Sequence, residues 1–178
     1  AFQKKLVARM TARKVGDPTN PDTAVGPMTR HDLRDELHAQ VTKSVRRGAK
    51  LLLGGKPLPG PGWFYPPTVL TRVKKGMPAY DEEVFGPVAA IIGVRDAAEA
   101  IAVANDSPFG LGAAIFTKNR RFAREIAPEI DAGMVFVNEA VKSDSTLPFG
   151  GIKQSGYGRE LGVHGIRAFV NVKTLWVN

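Results

Sequence analysis

The sequence predicts an α/β fold, a twisted and mainly parallel sheet with flanking helices, on three observations. Amphipathic helical stripes alternate with short apolar runs, the pattern of helices crossing over between strands in a right-handed sense. The run Met134 to Val137 is continuously apolar, as in a strand covered on both faces of a parallel sheet. At 178 residues and 43% hydrophobic, the chain is long enough for one such domain with a sizeable core and too short for two full ones.

Phe2, Leu6 and Met10 recur with a period near four while Lys4, Lys5, Arg9 and Arg13 take other faces, so residues 1–14 are predicted as an amphipathic helix. It opens at the first residue with no cap before it, the pattern of a chain cut from something longer. Gly16 to Asp22 is a turn-rich loop, stiffened at its far end by Gly26-Pro27. Thr29 with Asp32 resembles a capping box, with Asp in the usual Glu position. The stripe Leu33, Leu37, Val41, Val45 then marks a second helix closed by Gly48. Ala49 to Leu53 and Thr68 to Val73 are strand candidates separated by a Pro/Gly-rich hairpin or loop, Gly54 to Gly62.

In Tyr80-Asp81-Glu82-Glu83-Val84-Phe85-Gly86-Pro87-Val88, Pro87 fixes its own φ and Gly86 allows angles that other residues avoid, so the chain enters the strand Val88 to Val94 at a defined angle. Glu83 and Phe85 are thereby presented from a stiff turn. A carboxylate held this way can accept hydrogen bonds from a sugar diol, and a ring beside it can pack on a flat cofactor. The same residues also read as a solvated acidic corner next to a core phenylalanine.

Asp96 and Glu99 form another capping box, for a helix through Ala104. Ala113 to Thr117 is a strand leading to a cap-like Asn119, and the helix that follows should turn Phe122 and Ile126 inward. Pro128 to Gly133 breaks it before the strand Met134 to Val137. Asn138 to Lys153 is a long loop rich in Ser, Asp, Pro and Gly, and α/β proteins place ligand contacts in loops at strand carboxyl ends. A short helix near Gly158 to Gly165 precedes Phe169 to Val177, whose strict alternation predicts a two-faced terminal strand suited to pairing with an edge elsewhere.

The formal charge of +8 arises from 25 Lys plus Arg against 17 Asp plus Glu, which a nucleic-acid-binding module would also show. The basic residues lie singly or in short pairs among acids, without a basic block, and read as a solvated surface. No apolar run approaches the roughly 20 residues of a membrane span. With no cysteine in the chain, disulfides, thiolate metal sites and a cysteine nucleophile are excluded. Gly156 to Leu161 lacks the third glycine of a dinucleotide fingerprint, and Gly151 to Gly156 lacks the Lys-Ser/Thr of a P-loop. His31 and His38, a helical rise of roughly 10 Å apart, are too distant for one small metal site. His164 has no serine nucleophile context.

Four blocks follow one another in order: Glu82 to Val88; Asn105-Asp106-Ser107-Pro108-Phe109-Gly110-Leu111; Gly133-Met134-Val135-Phe136-Val137-Asn138; and Leu147-Pro148-Phe149-Gly150-Gly151-Ile152-Lys153-Gln154-Ser155-Gly156-Tyr157-Gly158-Arg159-Glu160. Together they resemble the C-terminal part of the aldehyde dehydrogenase superfamily over essentially the whole chain. The resemblance implies the C-terminal half of that catalytic domain over residues 1–168 and an oligomerisation strand over 169–178. It implies a parent enzyme that oxidises an aldehyde to a carboxylic acid with NAD or NADP.

In that family the cysteine, base glutamate, oxyanion asparagine and dinucleotide-binding fold match positions before Ala1. No residue of this chain is therefore expected to be catalytic or a metal ligand, and the isolated chain is expected to be inactive and to hold no cofactor. By position Glu83 matches the glutamate that holds the nicotinamide ribose, and Phe85 the aromatic beside that ring. Phe149 and the loop before it match the wall of the substrate tunnel. The stretch Asn138 to Asp144 is similar to the succinate-semialdehyde dehydrogenase group, in which a serine at the position of Ser143 helps bind the substrate carboxylate; a serine serving a loop turn is the other reading. Expected partners are a small-molecule aldehyde and further copies of the chain, in a dimer or tetramer through Phe169 to Val177, with no nucleic acid or membrane, in the cytoplasm. The alternatives are a structural or oligomerisation module without catalysis and a basic nucleic-acid-binding domain.

Overall fold

Helix α1, Phe2–Thr11, is tied to the sheet of the first unit by the Gln3 side-chain amide, which donates to Thr71 Oγ1 at 2.7 Å. The computed structural model describes residues 1–178, which divide into two units, Ala1–Gly93 and Val94–Asn178. The architecture is α/β as expected.

In the first unit, helix α2 spans His31–Arg46, and its N-cap is Arg30 rather than Thr29. Arg30 pairs with Asp32 through two bonds of 2.6 and 3.0 Å, so the acid expected to complete a capping box is held by a neighbouring cation instead. That hydrogen-bonded pairing with Arg30 brings Asp32 down to about 2. Leu37 and Val41 are buried as the stripe predicts, whereas Val45 is exposed.

Strand β1, Lys50–Leu53, lies antiparallel to β2, Thr68–Thr71, all four residues of which are buried. One turn of helix, α3 (Pro78–Asp81), has no counterpart in the sequence reading; Pro occupies its first position, and the Ala79 N–H donates to the buried Ser44 hydroxyl of α2 at 2.9 Å. Strand β3, Val88–Ile91, runs parallel to β2 in the register Thr68↔Val88 through Thr71↔Ile91, and gives the sheet order β1-β2-β3. The core gathers Leu37, Val41, Tyr65, Leu70, Val73 and Met77. Burial pushes the Tyr65 phenol up to about 12, and its oxygen sits 3.3 Å from His38 Nδ1. The His31 ring packs against Trp63, with centroids 5.3 Å apart.

In the second unit, helix α4, Ala97–Asn105, has the expected cap: Asp96 accepts from the Glu99 N–H at 2.9 Å, while the Glu99 carboxylate reaches one residue further back than a capping box requires, to the Arg95 N–H at 2.7 Å. Two-residue strand β4 is Phe109–Gly110, and β5 is Gly112–Ile115. Asn119 caps α5, Arg120–Ile126, through the Phe122 N–H at 3.0 Å, and a 3-10 turn, Ala127–Glu129, follows. Strand β6, Met134–Val137, pairs parallel with β5 from Gly112↔Met134 to Ile115↔Val137, and β7, Ile152–Lys153, pairs antiparallel with β4. Helix α6, Gly162–Ala168, starts later than predicted.

Two expectations require correction. Phe122 is exposed and the adjacent Ala123 fills the buried position of α5, because the residue against the sheet sits one step along the helix from the one its size suggests. The four residues of β6 are half-buried rather than fully covered. Phe169 to Val177 forms no strand: after the Val170 N–H bond to the Arg167 carbonyl the backbone makes no ladder, and Phe169, Val172, Leu175 and Trp176 are exposed. A strand exists through its partner, and this chain supplies none there.

Candidate functional site

The segment after α3 is fixed at several points. The Glu82 N–H bonds the Pro78 carbonyl at 2.9 Å, and the Thr68 N–H bonds the Pro87 carbonyl at 2.8 Å, one step before β2 and β3 begin to pair. Gly86 is favoured by space rather than by a left-handed backbone: a Cβ there would stand 2.5 Å from Cδ2 of the buried Leu37, so the leucine would have to shift.

The buried side chain of Gln40 in α2 donates to Glu82 Oε2 at 3.0 Å and to the Glu83 carbonyl at 3.1 Å. Glu82 and Glu83 are both exposed, but only the Glu82 carboxylate is bonded to the helix, and Phe85 is 72% exposed, which removes the reading of Phe85 as a core residue. Glu83 and Phe85 share a cavity of about 430 Å³ that is also lined by Leu33, Glu36, Gln40 and Glu82. An accepting carboxylate beside an uncovered ring fits a ribose diol joined to a flat heterocycle, the chemistry of a nicotinamide nucleoside.

In the second unit, β6 ends at Val137 and is followed by Asn138, whose backbone is left-handed at φ 58°. Its side chain accepts from the Thr117 N–H at 2.8 Å and donates to the Thr117 carbonyl at 2.9 Å, extending the β5–β6 pairing by side-chain amide. Sequence reading placed Asn138 in the loop and missed this role; the left-handed tolerance of asparagine after an apolar strand is the signal that could have found it.

The loop beyond is polar and locally tied. Lys142 lies 3.3 Å from Glu139, and Asp144 accepts from the Thr146 hydroxyl at 2.6 Å and the Thr146 N–H at 2.8 Å. Those two bonds, and more weakly Lys142, hold Asp144 below the usual carboxylate range. The Ala140 N–H and then Lys142 do the same for Glu139.

Phe149 is fixed by paired bonds of 2.8 Å with Glu160, and the carbonyl of the next residue, Gly150, lies where a Cβ on Gly133 would be, at 1.8 Å. Only glycine fits at 133. Arg159 donates to the Gly151 carbonyl at 2.9 Å, closing the glycine-rich turn. Phe149 lines a cavity of about 630 Å³ with Phe136, Lys142, Asp144, Arg159 and His164. Ser143 does not line it, although both its chain neighbours do; it is exposed in the loop between them.

Cations elsewhere pair locally with acids, as in Arg34–Asp35, Arg95–Glu99 and Arg121–Glu125, in keeping with a solvated surface. No helix is long and apolar enough to cross a membrane.

Residues 1–175 match the model of the aldehyde dehydrogenase family. Over 177 residues, 99% of this chain, the sequence is 52% identical to succinate-semialdehyde dehydrogenase [NADP(+)] 1 of Mycobacterium ulcerans, covering 39% of that protein. It is 51% identical over 176 residues to succinate semialdehyde dehydrogenase [NAD(P)+] Sad of Escherichia coli, covering 38% of it. The chain thus spans less than two-fifths of the curated relatives it matches. A crystal structure of succinic semialdehyde dehydrogenase from Streptococcus pyogenes in complex with NADP+ superposes with a TM-score of 0.95 at 40% identity, over 99% of this chain and 39% of that chain. Betaine aldehyde dehydrogenase from Staphylococcus aureus in complex with NAD+ superposes at 0.88 with 35% identity, over 94% of this chain and 34% of that chain.

Proposed function

Because the chain belongs to the aldehyde dehydrogenase family, we propose that the protein carrying it oxidises succinate semialdehyde to the dicarboxylic acid with NAD or NADP. The observation that carries this reading is the identity of about half of all positions, across 99% of the chain, with enzymes named for that substrate. In the reaction, aldehyde and water become acid while the oxidised nicotinamide takes a hydride and a proton is released. The thiolate that attacks the aldehyde must come from outside these residues, which include no cysteine.

Within the chain, residues 1–168 belong to the catalytic domain and 169–178 to an oligomerisation strand. Glu83 accepts hydrogen bonds from the nicotinamide ribose, and Phe85 packs beside the nicotinamide. Phe149 walls the substrate passage, and the Ser143 hydroxyl donates to the distal carboxylate of the substrate. The polar, charge-paired loop around Ser143 supports that last role, since a hydroxyl facing an alkyl tail would be left unpaired.

Ser143→Ala in the full-length protein tests the substrate assignment. KM for succinate semialdehyde should rise about tenfold, the loss of one hydrogen bond to a charged group, while an uncharged aldehyde of the same length is little affected. Equal losses for both aldehydes would leave only a general aldehyde dehydrogenase.

Assembly through the C-terminal residues is supported by side chains that present apolar surface with no ladder of their own: Leu175 and Trp176 are each 84% exposed. Deleting residues 169–178 should lower the sedimentation coefficient to that of a smaller oligomer. A deleted form that sediments like the parent would move the contact elsewhere.

A further inference from the structure

We infer that Gln40 is a positioning residue for the cofactor ribose: it pins the loop so that the carboxylate of Glu83, and not that of Glu82, is left free for the diol. The inference rests on the proposed role of Glu83. Gln40 is 9% exposed in the middle of a helix, between the core residues Leu37 and Val41, and a buried carboxamide needs partners. Its Nε2 donates at 3.0 Å to Glu82 Oε2 and at 3.1 Å to the Glu83 carbonyl, 42 and 43 residues along the chain. A carboxamide nitrogen carries two N–H donors, and both are used.

Two adjacent, chemically identical acids are thereby separated in role. One carboxylate is tied to the helix; the other is held only by its main chain and stands in the cavity. The far end of the loop has its own anchors, the Thr68–Pro87 bond of 2.8 Å and the fit of Gly86 against Leu37. At the near end the Glu82 N–H bonds the Pro78 carbonyl at 2.9 Å, and Gln40 adds the side-chain anchors that tie the Glu82 carboxylate and the Glu83 carbonyl. Without it Glu82 is released beside Glu83 to compete for the same hydroxyls, and the loop can shift by enough to degrade hydride-transfer geometry.

Two variants of the full-length protein test this. Gln40→Met keeps the length and removes both donors. Cofactor Kd should rise about five- to tenfold and kcat fall about tenfold, with KM for succinate semialdehyde unchanged. Gln40→Glu keeps the shape but adds a carboxylate facing Glu36, Glu82 and Glu83. At pH 8 it should bind cofactor more weakly than Gln40→Met, and it should recover toward pH 5.5, where its protonated carboxyl again donates one hydrogen bond. Should Gln40→Met fail to fold, Gln40→Asn, one methylene too short to reach the loop, takes its place with the same expected separation of cofactor from aldehyde.

Unchanged cofactor Kd and kcat in a folded donor-less variant would overturn the inference. So would a proportional loss of cofactor binding, aldehyde KM and Tm, which is the result of a purely structural role. Glu83→Gln run in parallel separates the two levels. If it weakens cofactor binding and Gln40→Met does not, positioning alone fails; if it leaves cofactor binding intact, the ribose reading and this inference fail together.

Discussion

The 178-residue chain by itself should reduce neither NAD nor NADP when given succinate semialdehyde. Direct hydride loss from a hydrated aldehyde is slow, and the enzymatic route divides it into thiolate attack, hydride transfer and hydrolysis of the acyl group. A thiolate needs a cysteine, and the chain has none. Its hydroxyls are poor substitutes, because a serine at its ordinary pKa needs a base within about 3 Å, and Ser143 has no hydrogen-bonded base beside it. Absorbance at 340 nm, followed on a metal-free sample at high protein concentration, should stay at the rate of buffer. Turnover above buffer would require a nucleophile within these residues and would end the proposed division of labour.

In the full-length protein, Glu83→Gln should slow hydride transfer by about 10- to 100-fold, because small misplacements of a bound ring erode near-attack geometry by that much. The amide keeps the size of the carboxylate but loses its charge, and one accepting oxygen becomes a donor that faces the ribose hydroxyls. Acylation does not depend on the ribose, so a rapid-quench experiment should still capture acyl-enzyme. The side chain is exposed and forms no part of the core, so stability should change by less than about 0.5 kcal/mol. Wild-type hydride transfer in this variant would remove Glu83 from the cofactor site.

The elements that the sequence made legible are those with local signals. The Asp96 and Asn119 caps form as spaced, because each bond closes within a few residues. Strands β1, β2, β3, β5 and β6 fall where apolar runs and turn residues put them. The failures involve competition or distance. Thr29 lost its capping role because Arg30 engages Asp32, and Ala123 took the buried position of α5 expected of Phe122.

The candidate site divides in the same way. The Glu83–Phe85 turn was visible because its rigidity is encoded in Gly86 and Pro87, although the glycine acts through its fit to Leu37 and not through an unusual φ. Gln40 was invisible: on a helix it reads as one more polar residue, and the partners that give it meaning lie more than forty positions away. The Ser143 loop was legible in composition only, and its small polar residues do not determine which of them faces the neighbouring cavity.

The meeting of Gly133 with the Gly150 carbonyl bears on redesign of the cavity that Gly133 lines together with Phe149. A saturation library at position 133 would collapse to glycine, because any Cβ would fall 1.8 Å from an oxygen that belongs to main chain and cannot rotate away. That part of the cavity lining has no side chain to vary, and it cannot be enlarged or trimmed by point mutation. Diversity has to enter through residues 139–146, where exposed side chains bond mainly to their near neighbours and each can be exchanged without a compensating change in the backbone.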